Sequence, residues 1–157
     1  PECDGGAIEF HGEIFVVPAD PEIGEKRQVT SSPRRDQRPV VSPDGSRVVG
    51  QDAEGHSRLY SVDGGPSEPV PGLAGGDRVF QWAEGGRALF VGRRAGPVWR
   101  IRRLDLLTGR EAPWTEITPR ETAGLRLSWV YLTPNGRFWV QSYSRLLTDL
   151  YVAEGLR

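Results

Sequence analysis

Short apolar runs rich in Val, Leu, Phe, Tyr and Trp alternate with polar turns along nearly the whole chain, without the spacing an amphipathic helix needs. Three turn tetrapeptides recur: Ser42-Pro43-Asp44-Gly45, Ala83-Glu84-Gly85-Gly86 and Thr133-Pro134-Asn135-Gly136. Four strands line up between them, Ile14 to Val17, Leu59 to Val62, Leu104 to Leu107 and Leu150 to Ala153, at steps of 45, 45 and 46 residues. A period of that length predicts an all-β chain, a partial β-propeller of about three and a half four-stranded antiparallel blades. A closed ring needs about four blades or more, so the chain reads as part of a larger circle.

The repeat divides the sequence into blades over roughly 1–31, 38–73, 77–118 and 126–157, a single partial propeller domain that reads as the C-terminal part of a longer chain. In the first blade the strands are Ala7 to Phe10, Glu13 to Val17 and Arg27 to Thr30. The second runs Val40-Val41, Arg47 to Gly50, Arg58 to Val62, then a Pro-interrupted strand at Glu68 to Val70, suited to a blade's outer edge. Arg78 to Trp82, Arg87 to Val91, Val98 to Leu107 and Trp114 to Ile117 form the third. Leu127 to Leu132, Arg137 to Tyr143 and Leu150 to Ala153 form the fourth. Only the link after Ile117 departs from the plan, where Thr118-Pro119-Arg120-Glu121 predicts one helical turn: an N-cap threonine, Pro at the first helical position and Glu at the third.

Composition narrows the reading. The 20 Gly and 13 Pro among 157 residues would lean toward low complexity if scattered, but they fall at the repeated turns. A net charge of −1 gives no bulk attraction to nucleic acid or anionic membrane. Cys3 stands alone, no apolar run is long enough to span a bilayer, and Pro1 with no Met anywhere reads as a processed or excised piece of a longer product.

The Ser-Pro-Asp-Gly turn with its following strand and the Leu59-Tyr60-Ser61-Val62-Asp63-Gly64-Gly65 ending resemble the WD40-like repeat of TolB-type propellers. Residues Ile8 to Ser46 are similar to the same repeat in tricorn-type peptidase propellers. The tail, from Leu132-Thr133-Pro134-Asn135-Gly136 through Tyr143 to Arg157, resembles the C-terminal propeller region of bacterial eukaryotic-like serine/threonine protein kinases. This likeness implies a sensor or interaction region outside the cytoplasmic membrane, periplasmic or at the cell surface, with any kinase domain upstream of Pro1. It leaves two alternatives open: an accessory propeller of a serine peptidase of tricorn or prolyl-oligopeptidase type, and a TolB-like periplasmic transport component. The third turn departs from the pattern by reading Ala83-Glu84-Gly85-Gly86.

Reaction chemistry is not visible in the residues. No His-Arg-Asp or Asp-Phe-Gly motif and no Gly-x-Ser-x-Gly elbow occurs, and His11 and His56 fall in or beside turns. The segment therefore reads as a non-catalytic binding module with no catalytic residue, cofactor or metal. Trp82, Trp99, Trp114, Trp129 and Trp139 all fall in predicted strands, as packing residues do. One loop face gathers Arg34, Arg35, Arg38, Arg78, Arg93 and Arg94, with Arg120, Arg126 and Arg145, against Asp36, Asp52, Glu54, Asp77 and Glu121. The first six are the candidate partner-binding residues, since guanidinium forks match carboxylates and phosphates. The expected partner is a protein or small acidic ligand, not nucleic acid. Open blade faces also predict self-association if the segment is expressed alone.

Overall fold

The computed structural model describes residues 5–10, 13–18, 20, 22, 24–30, 39–52, 54–119 and 125–145, with backbone alone for 5–10 and 125–129. Every element in it is a strand, and every pairing is antiparallel between neighbours in sequence. The first sheet is β1 (Gly5–Phe10), β2 (Glu13–Pro18) and β3 (Arg27–Gln28). The second is β4 (Val40–Val41), β5 (Arg47–Gln51), β6 (Ser57–Ser61) and β7 (Glu68–Pro69). The third, longest, is β8 (Asp77–Trp82), β9 (Ala88–Ala95), β10 (Val98–Asp105) and β11 (Glu111–Ile117). The last described pair is β12 (Leu125–Leu132) with β13 (Trp139–Arg145). This is a partial β-propeller, as the repeat predicts. The expected strand Leu150 to Ala153 and the helical turn after Thr118 lie outside the described residues.

Strand alternation sends each sheet's two sides into different cores. Val49, Leu59 and Val70 of the second sheet pack with Trp82, Leu89, Val91 and Leu104 of the third. The opposite side of the third sheet offers Ala88, Phe90, Ile101 and Ile117 to Val130 and Leu132 of the fourth. Each fully buried large apolar side chain stabilises the stack by about 1.5 to 3 kcal/mol. Indole groups tie the layers together: Trp82 Nε1 donates to the Val40 carbonyl at 2.8 Å and Trp114 Nε1 to the Gly136 carbonyl at 3.0 Å. On the side of β12 and β13 away from the third sheet, Tyr131 and Val140 are largely exposed.

All three repeated turns close with the same backbone bond, from the fourth amide to the first carbonyl, at 2.9, 3.0 and 2.8 Å. Two of them add side-chain caps. Ser42 Oγ donates to Asp44 Oδ1 at 2.5 Å and accepts the Arg47 amide, while Thr133 and Asn135 reproduce the arrangement. That network, Ser42 first and the Ser46 amide next, holds the Asp44 carboxyl at about 2. The Ala83 turn has no such side chains, but its second residue is Glu84 rather than Pro, and the free amide donates 2.8 Å to the Pro134 carbonyl of the fourth sheet's turn. The departure in sequence leaves the turn intact and adds a bond between sheets. Gly136 is required twice over: its φ is +65°, and a Cβ there would lie 2.6 Å from Phe90 and Trp114.

Candidate functional site

At the β9–β10 end of the third sheet, Asp77 begins β8, Arg93 and Arg94 end β9, and a two-residue Gly96-Pro97 hairpin leads to Trp99 and Arg100 on β10. Alternation sorts these residues onto two faces. Asp77, Arg93, Arg100 and Arg102 share the face that meets the second sheet; Arg78, Arg94 and Trp99 share the face that meets the fourth.

On the first face the charges are compensated. The Asp77 side chain is 1% exposed and receives Arg93 Nε at 2.8 Å, Arg102 Nη2 at 2.6 Å and the Ala74 amide at 2.8 Å. Burial pushes this carboxyl up, but the bonds from Arg102, Arg93 and Ala74 outweigh it and hold Asp77 at about 2. Arg102 is raised in turn: burial works against its charge, and Asp77 and Glu111 more than restore it. Its Nε lies 2.9 Å from Glu111 Oε1, though off the N–H direction, so that contact is an ion pair without a hydrogen bond. Arg100 pairs with Glu116 at 3.0 Å. A groove of about 670 Å³ runs along this cluster and beside Pro113, Trp114 and Thr115. Arg93, Arg100 and Arg102 line it with Glu111 and Glu116, and each of the three pairs with one of these or with the buried Asp77.

The second face differs. Arg78 lies over the Trp99 ring, 5.9 Å from its centroid, and Trp99 meets Phe80 edge to face at 5.1 Å. Arg94 gives its Nε to the Gly96 carbonyl at 3.0 Å, on a residue paired directly across from Trp99. Both guanidinium groups are exposed, and neither has an acidic partner among the described residues. The close approach of Phe80 depends on Gly92, where a Cβ would overlap the Phe80 ring and meet Ile101 Cδ1 at 2.9 Å. Packing thus fixes the aromatic platform and sets two planar cations beside it.

Of the six arginines expected from sequence, the structure brings Arg78, Arg93 and Arg94 to one end of one sheet and separates Arg93 from the others by face. Arg34, Arg35 and Arg38 lie outside the described residues, as do Arg120 and the side chain of Arg126. Asp77, expected on the rim as an opposing acid, is instead buried between two arginines. Sequence reading missed Arg100, Arg102, Glu111 and Glu116; the alternation Arg100-Ile101-Arg102 within a long strand was the available signal. Among the described residues no three His, Cys, Asp or Glu side chains converge as a metal site would require, and no helix is long and apolar enough to cross a membrane.

No family model matches the chain, and no curated protein matches it. Solved structures do share its fold. A putative TolB from Agrobacterium tumefaciens aligns with a TM-score of 0.59 at 16% identity, covering 94% of this chain and 59% of that one. TolB from Acinetobacter baumannii aligns with a TM-score of 0.58 at 14% identity, covering 89% of this chain and 40% of that one. The likeness establishes the fold as that of TolB-type propellers. The chain spans about three-fifths and two-fifths of the length of these two structures.

Proposed function

We propose that this TolB-type propeller segment is a binding module without reaction chemistry of its own, and that the Arg78–Trp99–Arg94 face takes acidic side chains of a protein partner or a small acidic ligand. The observation that carries the reading is that Arg78 and Arg94 flank a packed indole without ion pairs among the described residues, while Arg93 and Arg102 on the opposite face of the same sheet pair with Asp77. Guanidinium groups beside an aromatic surface suit carboxylates, which pair with the cation while their aliphatic stems cover the ring.

The test uses a fluorescein-labelled Glu-rich peptide and fluorescence anisotropy at low and moderate salt. Arg78→Glu with Arg94→Glu is expected to weaken binding at least about tenfold, a change of about 1.4 kcal/mol, and more at low salt. Unchanged affinity in that double variant would remove the site. Reversing Arg34, Arg35 and Arg38 to Glu measures separately whether the loop before β4 belongs to the same surface.

In the longer protein the module serves as the sensor or interaction region of a receptor-like serine/threonine kinase, extracytoplasmic in location. The similarity of the Leu132 to Arg157 stretch to such kinases supports this role. His-Arg-Asp and Asp-Phe-Gly motifs in the coding sequence upstream of Pro1 are the expected finding. A second reading, a TolB-like periplasmic transport component, draws on the structural likeness to two TolB proteins; a secretion signal without kinase motifs would favour it.

A further inference from the structure

Between the first and second sheets lies a half-open polar pocket of about 240 Å³, bounded by Thr30 on one side and by Asp52, Arg58, Tyr60 and Ser67 on the other. Alternation along β6 directs Arg58 and Tyr60 to this side, while Leu59 between them enters the core with the third sheet. Tyr60 is only 9% exposed, and its hydroxyl meets no hydrogen-bond partner among the described residues. Burial pushes its pKa up and the Asp52 charge adds to that against Arg58, so the phenol keeps its proton.

Two other hydroxyls share the pocket. Thr30 Oγ1 accepts the Ile14 amide at 2.8 Å, and Ser67 Oγ accepts Arg58 Nε at 2.7 Å. Each accepts one N–H in this way and keeps its O–H to donate. Three hydroxyl groups therefore line the pocket, and none of them donates to a protein acceptor among the described residues. Arg58 joins them: its Nε and Nη2 are fixed on Ser67, while Nη1 stops 4.0 Å from Asp52 Oδ2, beyond hydrogen-bond reach. Burial works to raise Asp52, but the His56 amide and imidazole and the Gly55 and Glu54 amides outweigh it and keep the carboxyl below its ordinary range. The His56 imidazole, itself exposed, lies 3.5 Å from Asp52 Oδ2.

We infer that this pocket binds a small α-amino acid as its zwitterion. The carboxylate accepts from Tyr60, from Thr30 or Ser67, and from Arg58 Nη1; the ammonium group sits on Asp52 Oδ2. Ordinary bond lengths separate the ammonium nitrogen and a carboxylate oxygen of an α-amino acid by roughly 3 Å. Laid antiparallel across the 4.0 Å gap between Asp52 and Arg58, each ligand charge comes beside its opposite. The volume, about the share of eight waters, admits glycine, alanine or serine. The site lies between different sheets from the Arg78–Arg94 face and stands independently of it.

Isothermal titration calorimetry of the full 157-residue chain with L-serine tests the inference. Saturable binding of one L-serine per chain is expected, with affinity reduced at least about tenfold in Tyr60→Phe and in Asp52→Asn, the loss of one hydrogen bond to a charged group. On the unaltered protein, N-acetyl-L-serine and L-serine methyl ester should fail to bind, a result that needs no variant to fold. Absence of binding up to about 10 mM L-serine, well above a millimolar dissociation constant, would overturn the inference. So would equal binding of the acetylated or esterified form, or full affinity in a folded Tyr60→Phe chain.

Discussion

On the side of the third sheet that meets the second, Arg93, Arg100 and Arg102 are matched by Asp77, Glu116 and Glu111; on the side that meets the fourth, Arg78 and Arg94 stand beside Trp99 with no acid among the described residues to answer them. The two groups share one residue type, one end of one sheet and neighbouring positions in sequence. What separates them is the parity of the strand and the depth of one carboxylate. Asp77 is buried, and a buried carboxylate is tolerable only with close, well-directed cations. Its arginines belong to the architecture, whereas the exposed pair is expected to tolerate change with little cost to the fold.

The sharpest way to break this distinction is to remove Asp77. Asp77→Ala leaves Arg102, 15% exposed, with Glu111 alone, and is expected to cost about 3 kcal/mol or more in urea unfolding. A cost near zero would place both arginine groups in the same class. Acid provides the same test without mutation. Because the folded pKa of Asp77, about 2, lies below the ordinary 3.8, its contribution is fully present above pH 3.8 and fades as pH falls through 3.8 toward 2. The Asp77 share of that loss should approach about 2 kcal/mol, so the Asp77→Ala chain, which keeps the Asp44 share, should lose about that much less when both are unfolded across the window.

A smaller effect belongs to the turns. Ser42→Ala removes the hydroxyl that holds both Asp44 and the Arg47 amide and should cost about 1 kcal/mol in thermal or urea unfolding. Smallest of all, Arg78→Ala and Arg94→Ala should each change stability by less than about 0.5 kcal/mol in the same assay. A larger loss at either position would sharpen the comparison in the other direction, by showing that the second face is also structural.

The strands were legible because their residues alternate and their turns carry Gly, Pro and Asp at fixed offsets. Where the observed strands run longer than the sequence suggests, polar residues are the reason. β9 continues through Gly92-Arg93-Arg94-Ala95 because Asp77 lies across the ladder to receive Arg93, and β11 begins at Glu111, ahead of a proline that an outer strand accommodates. β10 stops at Asp105, short of the Leu107 expected from sequence, because the Asp105 carboxylate caps Leu107 and Thr108 into a turn. The basic end of the sheet was legible as a concentration of arginine. Its division into paired and unpaired halves was not, because the Arg102–Asp77 contact joins residues 25 apart, and β10 and β11 shift register between Ile101 and Arg102. No local pattern announces a partner that only the ladder brings alongside.

The amide of Glu84 bears on any attempt to regularise this chain by consensus. Rewriting Ala83-Glu84-Gly85-Gly86 as Ser-Pro-Asp-Gly would install the side-chain caps of its siblings, yet proline at the second place has no N–H and would sever the 2.8 Å link to Pro134. An idealised repeat would gain three interchangeable hairpins at the expense of a rivet between adjacent layers, so the irregular copy is the one an engineer should leave alone.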